Sequence, residues 1–250
     1  MAVDGLEDRV AIVTGGSSGI GRATARRLAA DGATVVACDI RPPAGDDREP
    51  RATFRDVDVD VRSQDSVDAL VSGVLAEHGR IDVLANVAGV MDGYLPVHEL
   101  DDGTWREVLG VNVDGPMRLC RAVLPTMLAN RSGAIVNVAS VAGIRGGAAG
   151  TAYTVAKHAA IGLTRSIAWM YAYEGIRCNA VLPGGTDTPI ARDVVVRSEW
   201  AHRRVRPVLR QGVRMADAGE LARVIAFLAS DGASNVNGAL LTSDAGWSAG

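Results

Sequence analysis

The sequence TGGSSGIG at residues Thr14–Gly21 follows a short apolar run and opens a segment with helical character. Glycine permits a tight turn and a close approach of the backbone, and the free N–H groups at a helix start attract an anion. The context of strand, glycine-rich turn and helix makes the pattern informative, although its spacing is Gly-x-x-x-Gly-x-Gly rather than the commoner Gly-x-Gly-x-x-Gly. The stretch indicates a site for a nucleotide pyrophosphate. The alternative is a plain strand–helix turn, because glycine turns are common.

The composition predicts a single globular domain covering residues 1–250. Of these residues 48% are hydrophobic and 22% are charged, and the net charge is −3. This balance gives no reason to expect nucleic-acid or membrane binding, and no apolar run approaches the roughly 20 residues of a membrane span. Residues 1–9 lack the apolar core of a secretory signal. The cysteines Cys38, Cys120 and Cys178 are odd in number and lie in apolar surroundings, so we expect a reducing, cytoplasmic location.

Apolar runs alternate with helix-compatible segments along the whole chain. The predicted strands are Val10–Val13, Ala33–Cys38, Thr53–Val59, Ile81–Ala85, Ala134–Val138, Ile176–Val181 and Ala239–Thr242. The predicted helices are Gly19–Ala30, Ser63–His78, Thr104–Ala129, Thr151–Tyr173 and Asp217–Ala229. Continuous apolar strands separated by helices predict an α/β fold, a doubly wound, Rossmann-like parallel sheet of seven strands with helices on both faces. Ligands of such a fold bind beyond the carboxyl ends of the strands.

Two segments interrupt this alternation. Arg41–Pro50 is a polar, proline-bearing loop after the second strand. The region from Pro183 to about Arg214 has no clear strand pattern and carries seven arginines. Long segments of this kind are often active-site lids, and we place a substrate-binding lid at about residues 186–214. The alternative is a solvated helical face.

Asp39 closes the second predicted strand, where a carboxylate can accept hydrogen bonds from both hydroxyls of an adenosine ribose. A carboxylate there would repel a 2′-phosphate, so Asp39 favours NAD over NADP. Arg41, two residues further on, weakens this preference because an arginine can pair with a phosphate. The alternative is an ordinary carboxylate at a strand end.

Tyr153 and Lys157 are four residues apart in a predicted helix and therefore share a face. An unperturbed tyrosine titrates near ~10, too high for proton exchange at neutral pH. Lowering that pKa to about 7 takes roughly 4 kcal/mol, which one positive charge about 4 Å away supplies at an effective dielectric near 20. The pair alone is weak evidence for a catalytic site, because the same spacing often occurs by chance.

Two further polar residues strengthen the pair. Ser140 follows the strand Ala134–Val138, where its hydroxyl can donate to a carbonyl oxygen that is becoming an alkoxide. Asn112 interrupts the segment Thr104–Ala129, and asparagine inside a helix is costly unless it has a purpose, such as holding a water that connects Lys157 to solvent. Taken singly, a polar loop residue and a helix break are the simpler interpretations.

Together these motifs resemble the short-chain dehydrogenase/reductase family of the common single-domain type, over essentially the whole chain. The matching elements are TGGSSGIG at Thr14–Gly21, Asp60-Val61, Asn86-Val87-Ala88-Gly89, Asn112, Ser140, Tyr153-x-x-x-Lys157 and Pro183-Gly184 leading to Thr188. The resemblance implies that Tyr153 is the general acid/base, that Lys157 lowers its pKa and binds the nicotinamide ribose, and that Ser140 polarises the carbonyl. Asn112 would maintain the water of a proton relay.

The resemblance also implies a set of cofactor contacts beside Tyr153 and Lys157, and no metal site. They are Gly15, Ser17, Ser18, Gly19, Ile20 and Gly21 at the pyrophosphate and ribose, Asp39 and Ile40 at the adenosine ribose, Asp60 and Val61 at the adenine, Asn86, Ala88 and Gly89 across the sheet, and Pro183, Gly184, Thr186 and Thr188 near the nicotinamide.

Two positions depart from the family pattern. Val87 replaces the second asparagine of Asn-Asn-Ala-Gly, and we expect little loss because Asn86 remains. Asp244-Ala245-Gly246 replaces Asp-Gly-Gly, and alanine reaches positive φ less easily than glycine. We therefore expect the local turn, and a subunit contact near Trp247, to be affected.

The resemblance implies an NAD-dependent oxidoreductase that interconverts a secondary alcohol and a ketone, and a homotetramer or homodimer. Met91–Leu95, Val141–Gly147, Tyr153 and the region Ile190–Gln211 are candidate pocket walls, mostly small or apolar. They suggest a largely apolar substrate, while Arg145 and the arginine-rich lid leave room for an acidic substituent. The alternatives are an NADP-dependent 3-oxoacyl carrier-protein reductase and a non-catalytic protein that senses the dinucleotide.

Overall fold

The computed structural model describes residues 5–41 and 53–250, and in this part of the chain seven strands form one parallel sheet. The strands are β1 (Val10–Thr14), β2 (Thr34–Asp39), β3 (Phe54–Asp58), β4 (Val83–Asn86), β5 (Gly133–Val138), β6 (Ile176–Pro183) and β7 (Leu240–Ser243). Their order is β3-β2-β1-β4-β5-β6-β7. The predicted doubly wound fold is confirmed. Apart from Arg41 itself, the predicted polar loop Arg41–Pro50 lies outside the described residues.

Helices cover both faces of the sheet. They are α1 (Gly19–Ala30), α2 (Gln64–His78), α3 (Asp102–Leu109), α4 (Gly115–Asn130), α5 (Thr151–Met170), α6 (Pro189–Arg192), α7 (Glu199–Leu209) and α8 (Ala218–Ala229). Leu28 of α1 and Ile225 of α8 are buried on one face, and Val74 of α2, Val123 of α4 and Ile167 of α5 are buried on the other. The central strands are covered on both sides, which explains their continuous apolar sequences.

The order of the strands reverses between β1 and β4. The chain runs outward from β1 to β2 and β3, and then returns to place β4 on the other side of β1. The loops that leave the carboxyl ends of β1 and β4 therefore diverge and open a crevice, which is where doubly wound folds bind ligands. The glycine-rich stretch Thr14–Gly21 lies at this point.

The predicted helix Thr104–Ala129 is interrupted around Asn112, as expected. One turn of π-helix, Gly110–Asp114, separates α3 from α4. Pro116 follows and has no N–H group, so the Asn112 carbonyl lacks the i+4 donor that an α-helix would supply. The bulge in the helix thus has a local cause in the sequence.

The C-terminal segment contains the strained turn that its sequence predicts. Ala245 adopts a positive φ of 54°, so the strained turn predicted for the Asp-Ala-Gly sequence is present. Trp247, however, is buried within its own chain, where its indole N–H donates to the Val208 carbonyl at 3.1 Å. The indole thus packs against the end of α7, and the subunit contact expected near it stays a prediction.

Candidate active site

The glycine-rich stretch Thr14–Gly21 forms a cradle in which the positions of Gly15 and Gly21 have no room for a side chain. Gly15 has a positive φ of 67°, and a Cβ at Gly21 would overlap the Gly15 carbonyl oxygen. Helix α1 begins directly above, and its N-cap residue Ser18 makes no side-chain capping bond. By contrast, the side chains of Ser63, Asp101 and Asp217 cap α2, α3 and α8. The first N–H groups of α1 thus lie without a side-chain cap beside a backbone-lined hollow, which fits the pyrophosphate of a dinucleotide.

A cavity of about 600 Å³ runs from this cradle along the carboxyl edge of the sheet. Twelve of the predicted cofactor residues line it, namely Gly15, Ser18, Gly19, Ile20, Gly21, Asp39, Ile40, Asp60, Val61, Ala88, Gly89 and Thr188. This volume lies in the range of small-molecule and cofactor sites.

Asp39 lies at the rim of the cavity, where its carboxylate is held by backbone amides. It accepts hydrogen bonds from the N–H groups of Ser17 at 3.1 Å and Arg41 at 3.4 Å. The Ser17 hydroxyl donates to the Arg41 carbonyl, so the end of β2 is tied to the glycine-rich turn. Further along, Asp60 forms a two-pronged pair with Arg62, which lowers the pKa of the Asp60 carboxyl.

Seven predicted cofactor residues do not line this cavity. Three of them are Ser17 in the glycine-rich turn and Tyr153 and Lys157 in α5. Asn86 is buried in the core, where its amide donates to the Asn137 side chain at 2.8 Å. The others are Pro183, which ends β6, Gly184, which packs against Asp244, and Thr186, which pairs with Ala216. Of that loop only Thr188 reaches the cradle, next to Gly19. For Asn86 the structure assigns a role in joining β4 to β5 rather than a contact in the cavity.

The catalytic candidates meet at the start of α5. Tyr153 and Lys157 share one face of this helix, with the Lys157 Nζ 5.3 Å from the centre of the Tyr153 ring. The ammonium also donates to the Val138 carbonyl at 2.9 Å, at the end of β5. Ser140 follows that strand and hydrogen bonds to the Tyr153 side chain. The sheet edge and the helix therefore bring together the three side chains that the sequence pattern singled out.

The electrostatics differ from the expectation. Burial raises the pKa of Tyr153 to about 12, and the hydrogen bond from Ser140 offsets this only in part. Burial also lowers the pKa of Lys157 to about 8, so its charge is itself destabilised. The expected lowering of the tyrosine pKa to about 7 is therefore wrong for the free protein, because desolvation of the phenolate outweighs an ammonium lying over the ring.

Asn112 lies behind these residues. Its side chain donates to the Val90 carbonyl at 2.8 Å and accepts from the Val90 N–H at 3.0 Å. Gly89 fits between Asn112 and Lys157, since a Cβ there would lie 3.1 Å from the amide oxygen and 3.6 Å from the Nζ. The Asn112 side chain thus fixes the loop after β4 beneath Lys157. Its predicted role in holding a proton-relay water stays a prediction.

The arginine-rich region divides into two parts. Residues Thr188–Ile190, Asp193–Val195 and Arg197 line the cavity, and Arg197 fastens this side to α3 through Asp101 at 3.0 Å and Thr104 at 2.6 Å. Helix α7 instead directs its arginines to solvent. One part of the region thus lines the cavity and the other presents a solvated helical face, while its action as a lid stays a prediction.

Two residues of the site were missed in the sequence. The Thr14 hydroxyl accepts from the N–H groups of Val87 and Ala88 at 2.9 and 3.0 Å, which joins the loops that leave β1 and β4. Asp92 is a buried carboxylate in the cavity wall, within a segment that we expected to be small or apolar. No spacing pattern marks either residue, because their partners are backbone amides of distant segments.

Comparison with known proteins identifies the family. Residues 15–248 match a family model described as enoyl-(acyl carrier protein) reductase. The chain is 41% identical to the short-chain dehydrogenase/reductase olcF of Penicillium canescens, over 97% of this chain and 98% of that protein. The chain belongs to the short-chain dehydrogenase/reductase family.

Two further relatives of this short-chain dehydrogenase/reductase have more specific names. One is the cis-4-hydroxycyclohexanecarboxylate dehydrogenase of Sinomonas cyclohexanicum, 44% identical over 98% of this chain and 99% of the relative. The other is the crystal structure of levodione reductase, with a TM-score of 0.86, 35% identity and coverage of 97% of this chain and 98% of that one.

Membership gives this short-chain dehydrogenase/reductase its reaction class. The family consists of oxidoreductases that use a nicotinamide dinucleotide, and the named relatives act on CH–OH groups or on the corresponding ketones. Among the residues that the structure describes, no helix has the length and apolarity needed to span a membrane.

Proposed function

We propose that this short-chain dehydrogenase/reductase interconverts a ring secondary alcohol and the corresponding ketone with NAD, using Tyr153 as the general acid/base. The observation that carries the proposal is the meeting of Tyr153, Lys157 and Ser140 at the sheet edge that also holds the glycine cradle. A sensing protein would have no use for a proton donor and an oxyanion donor placed together.

The surroundings of Tyr153 support an alicyclic substrate. Tyr153 packs against an apolar cluster whose members include Val141, Val208, Leu209 and Trp247, and Met91 of the same cluster lines the cavity. Apolar surroundings of this kind favour a compact hydrocarbon ring over a charged chain. The 44% identical relative acts, by its name, on a hydroxylated cyclohexane ring.

The proposed roles follow from the positions of the side chains. The glycine cradle and Asp39 would hold the dinucleotide, which would supply the hydride acceptor for the alcohol and, when reduced, the hydride donor for the ketone. The hydroxyls of Ser140 and Tyr153 hydrogen bond to the reacting oxygen, and Tyr153 delivers a proton to it during reduction. Because burial raises the Tyr153 pKa to about 12, the free protein holds the phenol protonated at neutral pH. Reduction is therefore suited to neutral pH, whereas oxidation needs the phenolate and accelerates as the pH rises.

A substrate screen tests the proposed function. Purified protein is assayed with NAD and NADP on cyclic and linear secondary alcohols, and with NADH and NADPH on the matching ketones and on a 3-oxoacyl thioester. The expected result is turnover of ring substrates with NAD or NADH. Reduction of the thioester alone, with NADPH, would identify a carrier-protein reductase instead. Dinucleotide binding without any turnover would identify a sensor.

Asp39 is expected to set the cofactor preference. In the wild-type protein its carboxylate would repel a 2′-phosphate, so we expect kcat/KM for NAD to exceed that for NADP by about 100-fold or more, the scale of 2.7 kcal/mol or more. The variant Asp39→Ala should lose most of this preference, mainly through a lower KM for NADP. Asp65→Ala, which removes an exposed carboxylate on α2, is the control and should leave the ratio unchanged. A wild-type preference for NADP would contradict the assignment.

We propose further that the protein is a homotetramer in the cytoplasm. The C-terminal end of α5 and the residues after it expose large apolar side chains, Trp169, Met170 and Tyr173, beyond what a solvated helix end requires. All three thiols are free and buried, which suits a reducing compartment. Light scattering should give four times the mass of the chain, and Trp169→Glu should lower that mass. A monomeric wild-type protein would contradict the proposed assembly.

A further inference from the structure

Asp92 presents a buried carboxylate to the N-terminus of the catalytic helix. The residue is 1% exposed and lies in the loop between β4 and α3. One of its oxygens accepts from the backbone N–H of Tyr153 at 3.0 Å, and the other accepts from the N–H of Tyr94 at 3.1 Å. Asp92 thus caps α5 from a distant part of the chain, through the amide of the proposed acid/base residue itself.

The structure makes room for this carboxylate at a specific place. A Cβ at Gly150, the N-cap of α5, would overlap the carboxylate oxygens of Asp92. The φ of Gly150 is −76°, which any residue can adopt, so the glycine is needed for space and not for its backbone freedom. Within residues 5–41 and 53–250, no basic side chain forms an ion pair with Asp92. Its carboxylate is held by the backbone N–H groups of Tyr153, at the helix start, and of Tyr94.

The same carboxylate fixes the loop that faces α7. Tyr94 has a positive φ of 62°, which is rare for a bulky residue and marks a strained position. Its N–H bond to Asp92 helps to hold that conformation, and the Tyr94 ring lies 5.3 Å from the ring of His202 on α7. Asp92 therefore joins the catalytic helix, the strained turn and the arginine-rich segment at one buried point.

We propose that Asp92 is a positioning residue for the reaction, which fixes the place of Tyr153 through its backbone amide and opposes the formation of negative charge on its phenol. This inference rests on the proposed function. The buried carboxylate of Asp92 has no role in the proposed reaction, and the inference gives it one.

Burial opposes the ionisation of Tyr153 most strongly, and four groups on the surrounding elements modify it. Lys157 on the same helix and Ser140 after β5 favour the phenolate, while Asp92 and Tyr94 in the loop after β4 oppose it. Asp92 is the full negative charge in this set, and it raises the pKa of Tyr94 as well as that of Tyr153. Removing the charge should therefore ease ionisation of Tyr153, whereas removing a mere helix cap should not.

The variant Asp92→Asn tests the proposal, because it removes the charge and nearly keeps the shape. With saturating NAD and a ring alcohol, the rising limb of kcat against pH should move down by roughly one pH unit. Independently of turnover, the ultraviolet absorbance of tyrosinate in the NAD complex should show the same shift. Subtracting the spectrum of the same protein with the additional substitution Tyr153→Phe isolates the tyrosinate absorbance of Tyr153. If the protein did not oxidise ring alcohols, the pH profile of kcat could not be measured, whereas the tyrosinate absorbance of the NAD complex still could.

Asp217→Asn is the matched control, since Asp217 also caps a helix, α8, outside the cavity. It should lower Tm by a few degrees and leave the ionisation of Tyr153 unchanged. Should Asp92→Asn fail to fold, Asp92→Ser keeps one acceptor oxygen without the charge and is expected to show the same shift. The proposal is overturned if the Asp92 variants lower Tm but leave both pH midpoints where they are in the wild-type protein.

Discussion

Replacing Tyr153 by Phe should lower kcat by about 10³-fold or more and leave the affinity for NAD close to that of the wild-type protein. The substitution keeps the ring, which packs beside Val108, Ala152 and Met91, and removes only the hydroxyl next to Ser140. The reacting oxygen then has no proton donor, while the glycine cradle and Asp39 are untouched. Steady-state kinetics and fluorescence titration with NADH measure the two effects separately.

Tyr173→Phe is the matched control, because it removes the same hydroxyl from a side chain that is 92% exposed. Its kinetics should equal those of the wild-type protein. If Tyr153→Phe lost turnover and cofactor binding in equal measure, the phenol would be a structural or binding group and its role as acid/base would be wrong.

Gly21→Ala should be the most damaging small substitution in the cofactor cradle. Its methyl group would overlap the Gly15 carbonyl oxygen and lie 3.0 Å from that of Thr14. The turn cannot move away from the added methyl group, because its backbone already packs closely against its neighbours. A Cβ at Gly15 would lie 3.0 Å from Ala88, and a Cβ at Gly16 would lie 2.8 Å from Ala37. We expect the free energy of unfolding to fall by about 2–4 kcal/mol and NADH affinity to fall by about 100-fold or more.

Gly73→Ala separates this effect from a general property of helical glycines. Gly73 lies inside α2, and a Cβ there would meet no atom within 4 Å. This variant should gain about 0.5–1 kcal/mol of stability and leave cofactor binding unchanged. Urea denaturation and NADH titration of both variants give the comparison, and a Gly21→Ala protein that bound NADH normally would disprove the tight cradle.

The fold could be predicted from the sequence because its signals are local and repeated. The strands β1, β2, β4 and β5 are mostly continuous apolar runs. The break in the helix at Asn112 is indicated by Pro116, four residues later. The position of Lys157 near Tyr153 follows from helical spacing, which is a property of neighbouring residues.

The remaining features depend on contacts between distant segments. Asp92 caps a helix that begins some sixty positions later in the chain, a separation of 61 residues from Tyr153, and nothing in its own neighbourhood indicates this. The pKa of Tyr153 depends on how completely the fold excludes water from the phenol. The sequence shows the nearby lysine, which favours the phenolate, but it does not show the burial that opposes it. The hydrogen bond from Trp247 to the Val208 carbonyl likewise depends on the path of α7, which the residues around Trp247 do not indicate.

The three buried thiols have a practical consequence for measuring motion over the cavity. Burial raises the pKa of Cys38 and of Cys120 to about 12 and that of Cys178 well above its ordinary value, so none should react with a maleimide near neutral pH. A cysteine introduced on the solvent side of α7 would then be the sole reactive thiol of an otherwise native enzyme. A fluorophore attached there could follow the arginine-rich segment as cofactor and substrate arrive, without first removing any natural residue.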